Sequence, residues 1–527
     1  MKDSNGSLEI GIVVGPTKPD QVTFEARRPI SLGEYVVILN SQGRKVLGVV
    51  ESSSIESEAL SDNICNFEEA LESKQVASEN RRDKSYKANV KILGLIEELQ
   101  KRKTIIPEIP PFPGTEVFET RPNELKVIFE PVKDEWLRIG TLLRQKDVEV
   151  KININKVTTR HLGILAMTGM GKSNLITLIA KAVSEIPGTM IIFDYHDDYK
   201  GLNIRNANLI PAKINPRLLS TDKFAEVIEI RDIADVQKTI LSKAFDDDLK
   251  QRAEDDFWHT LEENIENIEK MERRNKSSAE RVKDKVREAR RKLRNILQAD
   301  ASDPVAMIKE GKVNVISLLE LTEKQANIAI AFYLESLLAD RKNAKNQMNN
   351  NNNKSVNRNY NNNGSDFVRF KNPILVVIEE AHAFIPKQEY TDTKYFAAKV
   401  AREGRKFGIG LIVVSQRPRS IDSAVLSQLG SLAIMKIVHQ EDQTQVAAAS
   451  ESLSPKLLEQ LPSLNPGEAL LIGQWVNLPS FARIDEAKDR MMGADPDPVA
   501  EWKNSQLQNQ MARESTQSYV RKGYVQD

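Results

Sequence analysis

From Glu9 to about Val150 the apolar residues come in short runs rich in β-formers: EIGIVVG, QVTFEA, EYVVILN, KVLGVVE, KANVKILGLI, ELKVIFE and VEVKININ. Gly, Pro, Asn and Asp separate them, and runs of this length predict a small antiparallel barrel or sandwich. A polar, acidic stretch from Glu51 to Lys84 interrupts the pattern and reads as a helical or loose excursion. A structural or docking role accounts for this module without any chemistry.

After Thr158 the pattern changes to apolar strands alternating with longer helical segments. Strands are predicted at HLGILAM, TMIIFDY, KVNVISLL, PILVVIEE, GIGLIVVSQ, SLAIMKI and EALLIGQWV. Several are apolar throughout, as expected of a parallel sheet covered by helices on both faces. Two segments interrupt this α/β core. Residues 246–298 are highly charged, acidic first (DDD, EDD, EE) and then basic (Arg281, Lys283, Lys285, Arg287, Arg290, Arg291, Lys292, Arg294). Leu249, Phe257, Trp258, Leu261, Ile265 and Ile268 recur there at helical spacing, which predicts a solvated helical hairpin with one packing face. Residues 346–366 are dominated by asparagine, 11 of the 18 positions from Asn346 to Asn363. Such a segment cannot bury a core and is predicted to be a flexible loop. The resulting division is a β module over 1–155, core segments at 156–245, 299–345 and 367–485 around the two insertions, and a C-terminal extension over 486–527.

The length of 527 residues agrees with about three domains. Lysine plus arginine and aspartate plus glutamate each total 75. That balance excludes a uniformly basic protein coating nucleic acid, while leaving room for local basic surface. Cys65 is the only cysteine, so an intramolecular disulfide is excluded and a reducing interior is expected. The longest apolar run, Ile328 to Leu334, is far short of the roughly 20 residues that span a bilayer. The N-terminus lacks an apolar stretch of signal-peptide length. A soluble, cytoplasmic protein is the expectation.

Candidate chemistry concentrates in the α/β core. Ala166-Met-Thr-Gly-Met-Gly-Lys-Ser173 follows a predicted strand and opens the apolar-periodic helix NLITLIAKAV. This is the setting of a phosphate-binding loop, in which small residues turn backbone amides toward phosphate at a helix N-terminus. The loop residues Thr168, Gly169, Met170, Gly171, Lys172, Ser173 and Asn174 would hold ATP. Lys172 would reach the β and γ phosphates, and the Ser173 hydroxyl would ligate Mg2+. PILVVIEEAH ends an apolar strand in two acids: Glu379 would orient the magnesium, through water, and Glu380 would activate the attacking water. Ala166 replaces the usual first glycine, and Glu379 stands where aspartate is commoner. GIGLIVVSQRP ends at Ser415 and Gln416, where a polar side chain can sense the γ-phosphate. Upstream, AREGRKF supplies Arg402, Arg405 and Lys406, as a solvated face or as arginines that cross a subunit boundary. FDYHDDY should bring Asp194 and His196 near the nucleotide. His161, His196, His259, His382 and His439 lack metal-ligand spacing. The segment Lys387 to Lys399 reads equally as a surface connection or as an element reaching a pore.

The runs TTRHLGILAMTGMGKSNLI, FDYHDDY, VVIEEAHAFIP and AREGRKFGIGLIVVSQRP, in that order behind a β-rich module, resemble the archaeal HerA DNA helicase/translocase family. That family lies within the group that includes the FtsK DNA pumps. The resemblance covers roughly Ser7 to Trp502, with the two insertions unmatched. It implies a RecA-like P-loop ATPase core with a HAS-type barrel, and a homo-hexameric ring around double-stranded DNA with ATP bound at subunit boundaries. The barrel would dock a NurA-like nuclease, and the complex would act in DNA end resection beside the archaeal break-repair nuclease. Lys172 and Ser173 match the family's phosphate loop, Glu380 its catalytic glutamate and Gln416 its sensor. Arg405 best matches the arginine acting in trans, with Arg402 one turn away, and Arg160 looks like a second arginine acting in cis. Conjugation and packaging motors share this engine, and a nucleotide-switched scaffold that recruits a nuclease is a different class of reading.

Overall fold

The computed structural model describes residues 8–487 apart from 81–82, 200–206, 232, 253–255, 354–367 and 451–452. Six strands close an antiparallel barrel: β1 (Glu9–Val14), β2 (Gln21–Ala26), β3 (Tyr35–Leu39), β4 (Lys45–Ser57), β5 (Lys84–Leu95) and β6 (Glu116–Glu119), in the order β1-β2-β5-β4-β3-β6. Closure satisfies every edge, and Phe24, Val36, Ile38, Val46, Val50 and Val90 fill the interior. The polar interruption carries the outward continuation of the β4–β5 pair and a helix, Phe67–Glu79, capped by Asn66 and without a buried residue.

The barrel ends sooner than the 1–155 expectation. The remaining strands form one sheet in the order β11-β12-β10-β13-β14-β9-β15-β16-β17-β7-β8. They are β7 (Trp136–Leu142), β8 (Glu149–Asn153), β9 (Leu162–Leu165), β10 (Thr189–Asp194), β11 (Asn208–Pro211), β12 (Val313–Ser317), β13 (Ile374–Ile378), β14 (Ile409–Ser415), β15 (Ser431–Ile434), β16 (Glu468–Gly473) and β17 (Ser480–Ile484). From β11 to β15 all neighbours are parallel; β16, β17, β7 and β8 extend the sheet antiparallel. VEVKININ therefore supplies an edge of the α/β sheet, and ELKVIFE is a helix, Pro122–Phe129, instead of a strand. Pro122 sits at its first turn, Glu124 reaches back to the amide of Arg121, and Leu125, Ile128 and Phe129 share its buried face.

Barrel and sheet share a core. Tyr35, Val37, Leu47, Val49 and Phe118 on the barrel's outer side belong to one apolar cluster with Ile139, Leu142, Leu162, Ile164 and Leu471 of the sheet. The charged 246–298 segment contributes two helices, Phe257–Met271 and Lys276–Lys292, whose inner faces join the other large cluster. The Asn-rich segment begins inside a helix, Glu323–Asn353, so the expected loop starts later than 346; its remainder from 354 lies outside the described residues, as does the C-terminal extension from 488. Among the described residues no helix is long and apolar enough to cross a membrane.

Candidate functional site

Strands β10, β13, β14 and β9 are adjacent and parallel, so their carboxyl ends deliver Asp194, Glu379, Ser415 and the loop after Leu165 to one crevice. The loop turns through Gly169 (φ +78°) and Gly171 (φ +105°), backbone conformations that a side chain would strain. Gly171 precedes the helix Lys172–Glu185 without capping it by a side chain, which leaves the first-turn amides available to an anion. A Cβ at Gly169 would meet nothing within 4 Å, so the concave side of the loop is open. The Lys172 ammonium folds over that side, donating to the carbonyls of Ala166 (3.2 Å) and Met167 (3.1 Å). Burial lowers its affinity for a proton, against the opposing charges of Glu380, Glu379 and Asp198. Met170 and Asn174 serve the loop's frame: the Met170 carbonyl accepts from Gly467, and Asn174 clasps the backbone of Asp485 and Ala487 beyond β17.

Opposite the loop, Glu379 is buried and accepts a hydrogen bond from the Tyr199 hydroxyl at 2.5 Å. Burial pushes its carboxyl up to about 8, and the Tyr199 bond only partly opposes this. Glu380 adopts a left-handed conformation (φ +44°), a strain of about 1–3 kcal/mol of the kind found where side-chain aim is imposed by function. Gln416 donates to both Glu380 oxygens at 3.2 Å, and its own oxygen accepts from the Thr168 hydroxyl. His382 Nδ1 stands 3.2 Å and His196 Nε2 3.8 Å from the same carboxylate. Burial alone would raise the Glu380 carboxyl; the His382 bond and the charges of His382, Lys172 and His196 outweigh it and hold the group below its ordinary value. A chain of side chains thus runs from the phosphate loop through the sensor to the candidate base.

The residues expected at the site do not all gather there. Lys172, Ser173, Thr168, Glu379, Glu380, Gln416 and His196 do. Asp194 is fully buried within electrostatic reach of Glu379 and accepts from the amides of Asp198 (3.0 Å) and Tyr199 (2.9 Å), so it shapes the turn beside the site. Arg160 ends the helix Ile154–Arg160 at the amino end of β9, so the four residues of that strand, about 13 Å, separate its backbone from the phosphate loop. Arg402 and Arg405 are exposed near the end of the helix Asp392–Phe407, on that same amino edge. In the segment after the acids, Lys394 is held by the carbonyls of Pro386, Lys387 and Glu389 and by Asp422, which makes it a clasp for the loop.

Asp198, Tyr199 and His382 were missed as site residues. FDYHDDY and EEAH carried the signal, but their spacing does not reveal which acid turns toward Ser173. The Ser173 hydroxyl donates to Asp198 at 3.0 Å. Among the described residues no three His, Cys, Asp or Glu converge as a metal cage. A hydroxyl with nearby carboxylates suits magnesium, a hard ion that keeps several waters.

Comparison with known proteins places the chain in a family. A family model described as the helicase HerA central domain matches residues 137–337. The DNA double-strand break repair helicase HerA of Saccharolobus solfataricus is 36% identical over 522 residues, 96% of this chain and 97% of that protein. Its counterpart from Sulfurisphaera tokodaii is 36% identical over 509 residues, 94% of this chain and 97% of that protein. Among solved structures, VirB4 of Thermoanaerobacter pseudethanolicus aligns with a TM-score of 0.47 at 17% identity, covering 68% of this chain and 98% of that one. A phosphate loop at the carboxyl edge of a parallel sheet, behind a closed barrel and with HerA relatives along nearly its whole length, means that this chain belongs to the HerA helicase family.

Proposed function

We propose that this protein is a magnesium-dependent ATPase that drives movement along double-stranded DNA, acting as a homo-hexameric ring with a NurA-like nuclease in end resection during double-strand-break repair. The observation that carries the ATPase reading is the side-chain chain Thr168–Gln416–Glu380, which links the phosphate loop to a strained, ionised carboxylate. Ser173 and Glu379 would hold the magnesium, which when bound neutralises phosphate charge. Lys172 withdraws from the Ala166 and Met167 carbonyls to meet phosphate, and Glu380 takes the proton from the attacking water. Gln416, bonded to both sides, reports the state of the phosphate to Glu380.

Arg160, Arg402 and Arg405 lie on the sheet edge opposite their own phosphate loop, which supports a ring in which they serve the nucleotide of a neighbour. The barrel is the surface for the nuclease, in concert with the archaeal break-repair complex. The test is ATP hydrolysis with and without linear duplex DNA, alongside mass by light scattering. Hexamers whose turnover rises with DNA are expected, and a monomer indifferent to DNA would refute the proposal. Glu380→Gln should retain ATP binding while lowering turnover roughly 100- to 10,000-fold. Lys172→Ala should lose both.

A further inference from the structure

The two groups that would hold magnesium stand apart in the chain, Ser173 in the first turn of the helix after the phosphate loop and Glu379 just past β13, and a third segment ties them together. Asp194 closes the end of β10 into a turn by accepting the amides of Asp198 and Tyr199. From that turn two side chains diverge. The Asp198 carboxylate accepts from the Ser173 hydroxyl of the phosphate loop at 3.0 Å, and the buried Tyr199 hydroxyl donates to Glu379 of β13. Asp198 forms no ion pair with a lysine or arginine among the described residues, and it faces the same Lys172 ammonium that Glu379 and Glu380 face. Asp198 and Glu380 share that one ammonium, and a divalent cation beside Ser173 would also draw the raised Glu379 carboxyl into its charged form.

We propose that Asp198 is a magnesium-site residue: its carboxylate would face the ion that Ser173 would hold, while Tyr199 ties Glu379 to the same turn. This rests on the ATPase reading and adds to it a third, charged contributor from FDYHDDY. Magnesium keeps several of its waters, and a carboxylate within hydrogen-bond reach of the hydroxyl that would hold the ion is placed to accept from them. Such outer contacts change metal affinity by about 10- to 100-fold when removed.

Asp198→Asn separates charge from shape, since the amide oxygen can still accept from Ser173. The measurement is a titration of Mn2+ against full-length protein loaded with a non-hydrolysable ATP analogue, read by electron paramagnetic resonance of the free ion. The expected result is Mn2+ affinity weakened about 10- to 100-fold in Asp198→Asn, with Asp198→Glu recovering much of it. Analogue affinity in EDTA should be unchanged in both variants. Wild-type Mn2+ affinity in Asp198→Asn would overturn the inference, as would loss of analogue binding in EDTA, which would make Asp198 a residue of loop shape. A wild-type protein that binds neither analogue nor Mn2+ would instead overturn the ATPase reading.

Discussion

His161 joins the phosphate-loop strand to the helix that carries the exposed arginines. It is buried, with φ +58°; its Nε2 lies 3.0 Å from the carbonyl of Ala401, and its Nδ1 accepts from the amide of Leu411. Only a neutral ring with its proton on Nε2 satisfies both bonds, and burial lowers its pKa to about 4. Because this lies below the ordinary value of 6.5, protonation favours the unfolded chain. The stability is fully present above about 6.5 and is lost as pH falls toward 4. Denaturant unfolding should show a loss of about 2 kcal/mol from this group between about pH 7.5 and 5, absent in His161→Gln measured against its own value at the higher pH. At this scale the motif residues Lys172, Ser173, Glu380 and Gln416 were legible because each sits at a fixed offset from a strand end. Asp198, Tyr199 and His382 were not, since their roles depend on partners from other strands that no spacing encodes. Arg160 lies close to the loop in sequence, but the strand Leu162–Leu165 between them spans the depth of the sheet.

The charged helices Phe257–Met271 and Lys276–Lys292 show how composition conceals packing. Leu261 and Ile265 on one, and Val282 and Val286 on the other, are buried in the main core. Across the outside, Lys283 pairs with Glu266 (2.9 Å), Arg287 with Glu262 (2.8 Å) and Arg290 with Asp256 (3.6 Å). Leu261→Ala should cost about 2–5 kcal/mol in urea unfolding, whereas Arg287→Ala should cost under about 1 kcal/mol. Equal costs would mean that the pair holds by charge. Helical periodicity made this hairpin legible, while ELKVIFE failed because its alternation fits a strand until Pro122 and Glu124 are weighed as a helix start. β8 was recognisable as an extended segment and β7 was not, and assignment of both to the large sheet depends on hydrogen-bonded neighbours far along the chain, Ala482 and Arg483 among them.

For the whole molecule, the balance of 75 basic and 75 acidic residues gives a subunit with little net pull on DNA, so the proposed ring would have to grip through local contacts. If the amino-edge arginines complete a neighbour's site, Arg405→Ala and Lys172→Ala proteins, each inactive alone, should regain ATPase activity when mixed. About a quarter of interfaces in a random equal mixture would then pair an intact loop with an intact arginine. Mixtures that stay inactive after verified subunit exchange would remove Arg405 from the neighbour's site. The attachment of the barrel matters to what such a ring can do. The chain leaves the barrel and enters the great sheet as β7, paired directly to β17, while Arg144 donates to the Leu32 carbonyl and Ser454 to Glu51 across the same junction. There is no slack tether here. Torque generated at the nucleotide would reach a passenger seated on the barrel as rotation of one stiff body, so an enzyme riding there would be presented to the emerging strand in register with each stroke of the motor.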